Sequence, residues 1–159
     1  MATVYILCGK IASGKTTYAN KLKLNSNSVI LSHDDLMLKL YDNCLGSKHD
    51  ETVMRISSYF YELAEQLISL DINVIFDFGY WTKAERNFVK DYFSNKGINL
   101  EIHYLKTDDS KRLSWLEERN KKLANSKSRV YIINKDLCKR LDAKFQEPND
   151  NEVDLIINN

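Results

Sequence analysis

GKIASGKT, residues 9–16, decides the fold. It fits G-x-x-x-x-G-K-[ST] at every specified position, and it stands between an apolar run, TVYILC (3–8), and a helical stretch, KTTYANKL (15–22). Gly9 and Gly14 let the backbone turn so that successive N–H groups face a bound polyphosphate, whose charge also meets the positive end of the following helix. Contacts to a nucleoside triphosphate are therefore expected from Gly9, Lys10, Ile11, Ala12, Ser13, Gly14, Lys15, Thr16 and Thr17. Lys15 would reach the outer phosphates, and the Thr16 hydroxyl would hold Mg2+.

Working outward, short β-branched and aromatic runs recur at SVIL (28–31), INVIFD (72–77), NLEIHYL (99–105) and VDLIIN (153–158), with helical periodicity between them. This alternation predicts an α/β fold, a parallel sheet with helices on both faces. Val53, Ile56, Phe60, Leu63, Leu67 and Ile68 share one helical stripe, the mark of a long helix packed on the sheet. Thr82 and Glu85 make a capping box for a helix with Ala84, Phe88, Val89 and Tyr92 on its apolar side, and Gly97 ends it. EERNKKLANSKSRVYI (117–132) is a basic excursion with weak apolar patterning. No repeat, low-complexity tract or linker interrupts the chain, so one domain over residues 1–159 is expected, with a lid at about 119–133.

Bulk properties narrow the function. Lys and Arg number 23 against 22 Asp and Glu, spread along 159 residues, which argues against both a disordered tail and a strongly basic nucleic-acid face. Cys8, Cys44 and Cys138 are far apart, with no C-x-x-C spacing or neighbouring His, and read as reduced structural thiols. No leader precedes a cleavage site, and no run approaches the roughly eighteen apolar residues of a membrane span, so a cytoplasmic protein is expected.

In an open α/β sheet, ligands bind outside the carboxyl ends of the strands, so residues just past a strand share a crevice with the phosphate loop. LSHDDL (31–36) puts Asp34 and Asp35 at a helix start, where they could cap the helix or one could accept the proton of an attacking hydroxyl. Asp77, closing INVIFD, could order the metal through water or contact the acceptor; a plain strand-end turn is the alternative. Tyr80 and Trp81 could line an acceptor pocket or only pack. Arg119, Lys121, Lys122, Lys127 and Arg129 could close over the phosphates, although a solvated charged face accounts for most of those lysines. The base-reading N-K-x-D element of regulatory GTPases is not matched, since NKDL (134–137) is one residue short. His33, His49 and His103 show no partner spacing and read as surface or structural residues.

Together, CGKIASGKTTYANKL (8–22), LSHDDL, NVIFDFGYWTKAERNFV (73–89), EIHYLKTDDSKRLSWLEERN (101–120) and FQEPNDNEVDLII (145–157) resemble the small P-loop kinases that include the kinase domain of phage polynucleotide kinase, zeta toxins and chloramphenicol phosphotransferase. The resemblance covers nearly the whole chain. It implies a three-layer, nucleotide-kinase-like P-loop fold with five parallel strands in the order 2-3-1-4-5 and a small helical lid. It also implies ATP and Mg2+ as ligands, Asp34 as base toward the acceptor hydroxyl, Arg119 on the phosphates, and Asp77 at the metal and the acceptor. Asp35 becomes a cap or supporting group, and Arg86 is placed with the acceptor-binding residues beside Tyr80 and Trp81. Two positions depart from the pattern. Met37 stands where polynucleotide kinases carry an arginine for the acceptor phosphate, and Gln146 stands where the family has Glu in Phe-Glu-x-Pro. A methionine cannot pair with a phosphate, which disfavours a nucleic-acid 5′ end as acceptor.

The expected activity is ATP- and Mg2+-dependent transfer of the γ-phosphoryl group to a hydroxyl of a small-molecule acceptor. The alternatives are a polynucleotide or RNA 5′-hydroxyl kinase and a non-catalytic ATP-binding regulatory module.

Overall fold

The computed structural model describes residues 1–41, 45–125 and 132–159. Strands β1 (Thr3–Cys8), β2 (Ser28–Leu31), β3 (Asn73–Phe76), β4 (Asn99–Lys106) and β5 (Leu155–Asn158) form one sheet in the order β2-β3-β1-β4-β5. Every pairing is parallel. Both the strand positions and the order agree with expectation. The central β1 pairs with β3 through Val4–Val74 and Ile6–Phe76, and with β4 from Thr3–Asn99 to Cys8–Tyr104. The phosphate loop that follows Cys8 therefore starts in mid-sheet, flanked by the ends of β3 and β4.

Side chains alternate along a strand, and this sorts the apolar residues onto two faces. Val4, Ile6, Val74, Phe76, Ile102 and Tyr104 pack with Ile56, Phe60, Tyr61 and Ala64 of α3 (His49–Ser69) and Val89 and Phe93 of α4 (Lys83–Ser94). Leu7, Ile75 and Leu105 face the other way, against Tyr18, Ala19 and Leu22 of α1 (Lys15–Leu24). Burying each such aliphatic or aromatic side chain is worth roughly 1.5–3 kcal/mol, which is why the strands read as near-continuous apolar runs. A third cluster joins Leu116 of α5 (Asp109–Ala124) and Cys138 of α6 (Lys135–Asp142) to Ile133, and Ile11 and Ala12 of the loop pack on it.

The capping box forms as expected, Thr82 N–H donating to Glu85 (2.9 Å) and Glu85 N–H to the Thr82 hydroxyl (3.2 Å). The apolar side of α4 differs from expectation. Arg86, Val89 and Phe93 are its buried residues, and Ala84 and Phe88 face outward. Arg86 takes an inward position because a carboxylate, Glu152, meets it there. Cys8 and Cys138 are buried free thiols; Cys44 lies outside the described residues. Among the described residues no helix is long and apolar enough to cross a membrane.

Candidate active site

At the end of β1 the backbone has no room for a side chain. A Cβ on Gly9 would lie 2.6 Å from Ser13 Oγ and 3.0 Å from the Leu105 carbonyl. Ala12 and Gly14 then take φ of 56° and 89°, and these left-handed residues coil the loop into a nest of N–H groups. Gly14 is the N-cap of α1; no side chain caps this helix, and its first turn, which includes Thr16 and Thr17, carries no acid. By contrast, α4 is capped by Thr82 and α2 (His33–Leu40) by Ser32. The orphan donors and positive dipole end of α1 are thus available to an anion. Lys15 Nζ folds onto the loop, donating to the carbonyls of Gly9 (2.8 Å) and Lys10 (2.7 Å). Burial lowers its ammonium to about 8, against the pull of Asp77 and Asp34. Lys10 itself turns to Asp109 (3.2 Å).

Thr16 Oγ1 donates to Asp77 Oδ2 at 2.7 Å, bringing together a hydroxyl and a carboxylate, the hard oxygens Mg2+ takes. Mg2+ is usually held by one or two protein oxygens plus phosphates and water, so this donor set fits the ion. Among the described residues no group of three or more His, Cys, Asp or Glu forms a protein cage. Asp77 N–H donates to the Leu31 carbonyl (3.0 Å), extending the β2–β3 ladder and setting Asp77 beside the start of α2. There the sequence reading needs correction. The cap is Ser32, whose hydroxyl accepts from Asp35 N–H (3.3 Å), so neither aspartate is used for capping.

Solvent reaches Asp34, yet the surrounding protein pushes its carboxyl pKa up, opposed by Arg119, His49 and Lys15 and reinforced by Asp35. Burial likewise raises Asp77, against the Thr16 hydrogen bond and Lys15, with Asp34 and Asp35 reinforcing it. Asp34 thus feels both Lys15 and Arg119, and Asp77 feels both Lys15 and Asp34. Lys127 and Arg129 lie outside the described residues.

Met37 and Arg86 are both buried. Met37 is 1% exposed and packs in the core, so the position that bears an arginine in polynucleotide kinases is an internal one here. Arg86, expected among the acceptor-binding residues, is also 1% exposed. Its guanidinium pairs with Glu152 (3.0 Å) and donates to the carbonyls of Tyr80 (3.2 Å) and Trp81 (3.4 Å). It thereby holds a turn in which Tyr80 has φ 44°, an unfavourable conformation for an aromatic residue that needs such over-determination. The Tyr80 ring joins the core beside Phe78, whereas Trp81 is half-buried and folds back over Gly79.

For several residues the contacts are not legible in the sequence, and Arg112 is not singled out there at all. Arg112 is buried against Ile11 of the loop and against Asp109 and Asp142. Asn120 donates to the Ile133 carbonyl (2.8 Å). Gln146, the departure from the family pattern, braces the start of α4: its side chain accepts from Lys83 N–H (2.8 Å) and its N–H donates to the Trp81 carbonyl (2.8 Å). His49, at the first residue of α3, bears on Asp34. His33 is structural, as read. It stacks on Phe78 (3.5 Å), and its Nε2 lies 2.7 Å from the Ser57 hydroxyl, whose hydrogen goes to the Val53 carbonyl. The ring must therefore donate, and burial lowers its pKa to about 4.

By sequence, residues 4–147 match the AAA domain family. No curated protein matches the chain. Solved structures share its fold at low identity. A chain of the Pnkp1/Rnl/Hen1 RNA repair complex aligns with TM-score 0.68 and 17% identity over 90% of this chain, which spans only 43% of that one. APS kinase CysC of Mycobacterium tuberculosis, in complex with AMPPNP and APS, aligns with TM-score 0.60 and 17% identity, covering 99% of this chain and 88% of its own. Kti12 of Chaetomium thermophilum, in complex with ADP-AlF3, gives TM-score 0.67 and 16% identity, covering 98% and 88%.

Proposed function

The chain belongs to the AAA domain family, here a group of P-loop kinase-like proteins, and from that premise we propose that it transfers the γ-phosphoryl group of ATP to a hydroxyl of a small-molecule acceptor. One observation carries the reading: a carboxylate, Asp34, stands under the positive influence of both Lys15 of an uncapped phosphate loop and Arg119. A carboxylate beside the phosphates that the helix cap leaves free is what an attacking acceptor hydroxyl requires.

Lys15 exchanges the Gly9 and Lys10 carbonyls for phosphate oxygens, joined by the loop N–H groups and by Arg119. Thr16 and Asp77 would hold Mg2+, which when bound offsets phosphate charge. Asp34 accepts the hydroxyl proton as the acceptor oxygen bonds to the γ-phosphorus and the bond to ADP breaks. The surrounding protein makes it a stronger base than a free carboxylate, a shift that Arg119 and Lys15 oppose. Trp81, half-buried after Asp77, borders the acceptor. Positioning and charge supply the catalysis, since phosphoryl transfer asks little covalent chemistry of a protein. Neither Met37 nor Arg86 offers a cation to an acceptor phosphate, which favours an acceptor without one.

The test is transfer of label from ATP to nucleosides, amino-sugar antibiotics, UDP-sugars and 5′-hydroxyl oligonucleotides. Asp34→Asn should slow transfer to the accepted compound by roughly 10²–10⁴-fold while ATP still binds. Unchanged turnover in that variant would remove Asp34 as base. Slow hydrolysis with transfer to none of the panel would move the protein to the regulatory reading.

A further inference from the structure

We propose that Arg112 is the positioning residue that couples the phosphate loop to α5 and α6, so that filling the loop and bringing Arg119 onto the phosphates are one linked event; this rests on the phosphate-loop reading above. Arg112 is 2% exposed, and its guanidinium is matched on every side. Nη1 donates to the Ile11 carbonyl (2.9 Å) and to Asp142 (3.2 Å), Nη2 to Asp109 (3.0 Å) and to the second Asp142 oxygen, and Nε to Asp109 (3.3 Å). Cys138 Sγ lies 3.6 Å from Nη1. One side chain thus ties the loop to the start of α5, the helix that carries Arg119, and to the end of α6. Lys10 adds a second tie from the loop to Asp109.

An apolar side chain of similar volume would fill this space without desolvating a charge. What the guanidinium adds is direction. In a trans peptide the C=O and the following N–H point opposite ways, so holding the Ile11 carbonyl toward Arg112 aims the Ala12 N–H away from it. Ala12, with φ 56°, continues that turn into the N–H nest. Arg112, Leu116 and Arg119 recur at i, i+4 and i+7 on α5 and share one face, with Arg119 about 10 Å along the axis. Between them Leu116 packs with Ile11, Ala12 and Ile133, and Asn120 closes the base through the Ile133 carbonyl. The helix face that starts at a loop carbonyl ends at the arginine assigned to the phosphates.

The experiment is a double-mutant cycle on nucleotide affinity, read by titration calorimetry with ATP and ADP plus Mg2+, for wild type, Arg112→Lys, Arg119→Ala and the double variant. Arg112→Lys keeps a charge but cannot reach Ile11 and both carboxylates at once, and should raise Kd about tenfold, the scale of one charge-assisted hydrogen bond. The coupling predicts non-additivity: Arg119→Ala weakens ATP binding several-fold in wild type and hardly further beside Arg112→Lys. A merely structural Arg112 would lower melting temperature and leave the two effects additive, and that result overturns the proposal. Should Arg112→Lys not fold, Asp142→Asn removes one carboxylate and must show the same non-additivity at smaller amplitude. A wild-type chain that binds neither nucleotide overturns the phosphate-loop reading and this coupling with it, whereas binding with an additive cycle overturns the coupling alone.

Discussion

Raising the pH from 7 to 9.5 should weaken nucleotide binding about thirtyfold through Lys15 alone. In the free protein its ammonium has a pKa of about 8, because burial outweighs the attraction of Asp77. Phosphate oxygens around the ammonium stabilise its charged form and return it to, or above, the range of a free lysine. Only the protonated side chain pairs well with phosphate. With a free-state pKa of about 8, the protonated fraction falls from about 0.9 at pH 7 to about 0.03 at pH 9.5, and Kd rises in inverse proportion. Binding therefore takes up nearly one proton per nucleotide above pH 9 and almost none at pH 7. Calorimetry with ADP and Mg2+ in two buffers of different ionisation heat measures both quantities. Lys15→Met, run in parallel, subtracts titration of the nucleotide and of other groups. A flat Kd across this range, or the same slope in Lys15→Met, would refute the buried, loop-folded lysine.

The Arg86–Glu152 pair supplies a stability counterpart. Glu152→Ala strands a guanidinium that is 1% exposed and should lower the unfolding free energy by roughly 3–5 kcal/mol in urea denaturation; a loss below about 1 kcal/mol would contradict its burial. Burial pushes the Glu152 carboxyl up, but Arg86, the Asn149 N–H and Lys83 together hold it below the usual range. The pair's contribution is thus complete above the unfolded-state pKa of a glutamate and is lost as pH falls through the lower folded value, which an acid-unfolding curve of wild type against Glu152→Gln reads directly. At Gly79 a Cβ would come within 2.3 Å of the Trp81 indole, so Gly79→Ala should cost roughly 1–3 kcal/mol and shift Trp81 fluorescence toward that of an exposed indole. An unchanged spectrum and melting temperature would show that Trp81 does not fold over Gly79.

The fold was legible because its determinants are local. Strands β1 to β4 are short apolar runs packed against the helical layers, and the loop between β1 and α1 is a glycine pattern whose geometry follows from the residues themselves. The capping box at Thr82 was equally readable, since its two members are three residues apart. The cap of α2 was not. Asp34 and Asp35 are strong capping residues, and they obscured Ser32, which takes the role because β2 releases the chain at Leu31 and leaves Ser32 extended, with φ −130°. With the cap at Ser32, two residues before Asp34, the carboxylate on which the proposed chemistry depends is left free. The apolar side of α4 failed for a related reason: an arginine counts as polar in a helical stripe, and nothing within α4 announces that Glu152 will meet it.

Arginines mark the limit of reading a site from sequence. Arg86, Arg112 and Arg119 all sit on helices after strand ends, and nothing local separates one that serves a ligand from one that serves the protein. The difference lies in partners distant along the chain: Glu152 is 66 residues from Arg86 and Asp142 is 30 from Arg112. A buried guanidinium is tolerable only when its donors meet acceptors and its charge meets a carboxylate. Asp109 and Asp142 meet that demand for Arg112, and Glu152 meets it for Arg86. The charge of Arg119 is instead set against Asp34, a carboxylate of the site itself. An incoming polyphosphate can therefore draw Arg119 toward itself without breaking a buried pair, and in the proposed transfer the removal of that charge from beside Asp34 leaves it the better proton acceptor as the acceptor hydroxyl attacks the γ-phosphorus.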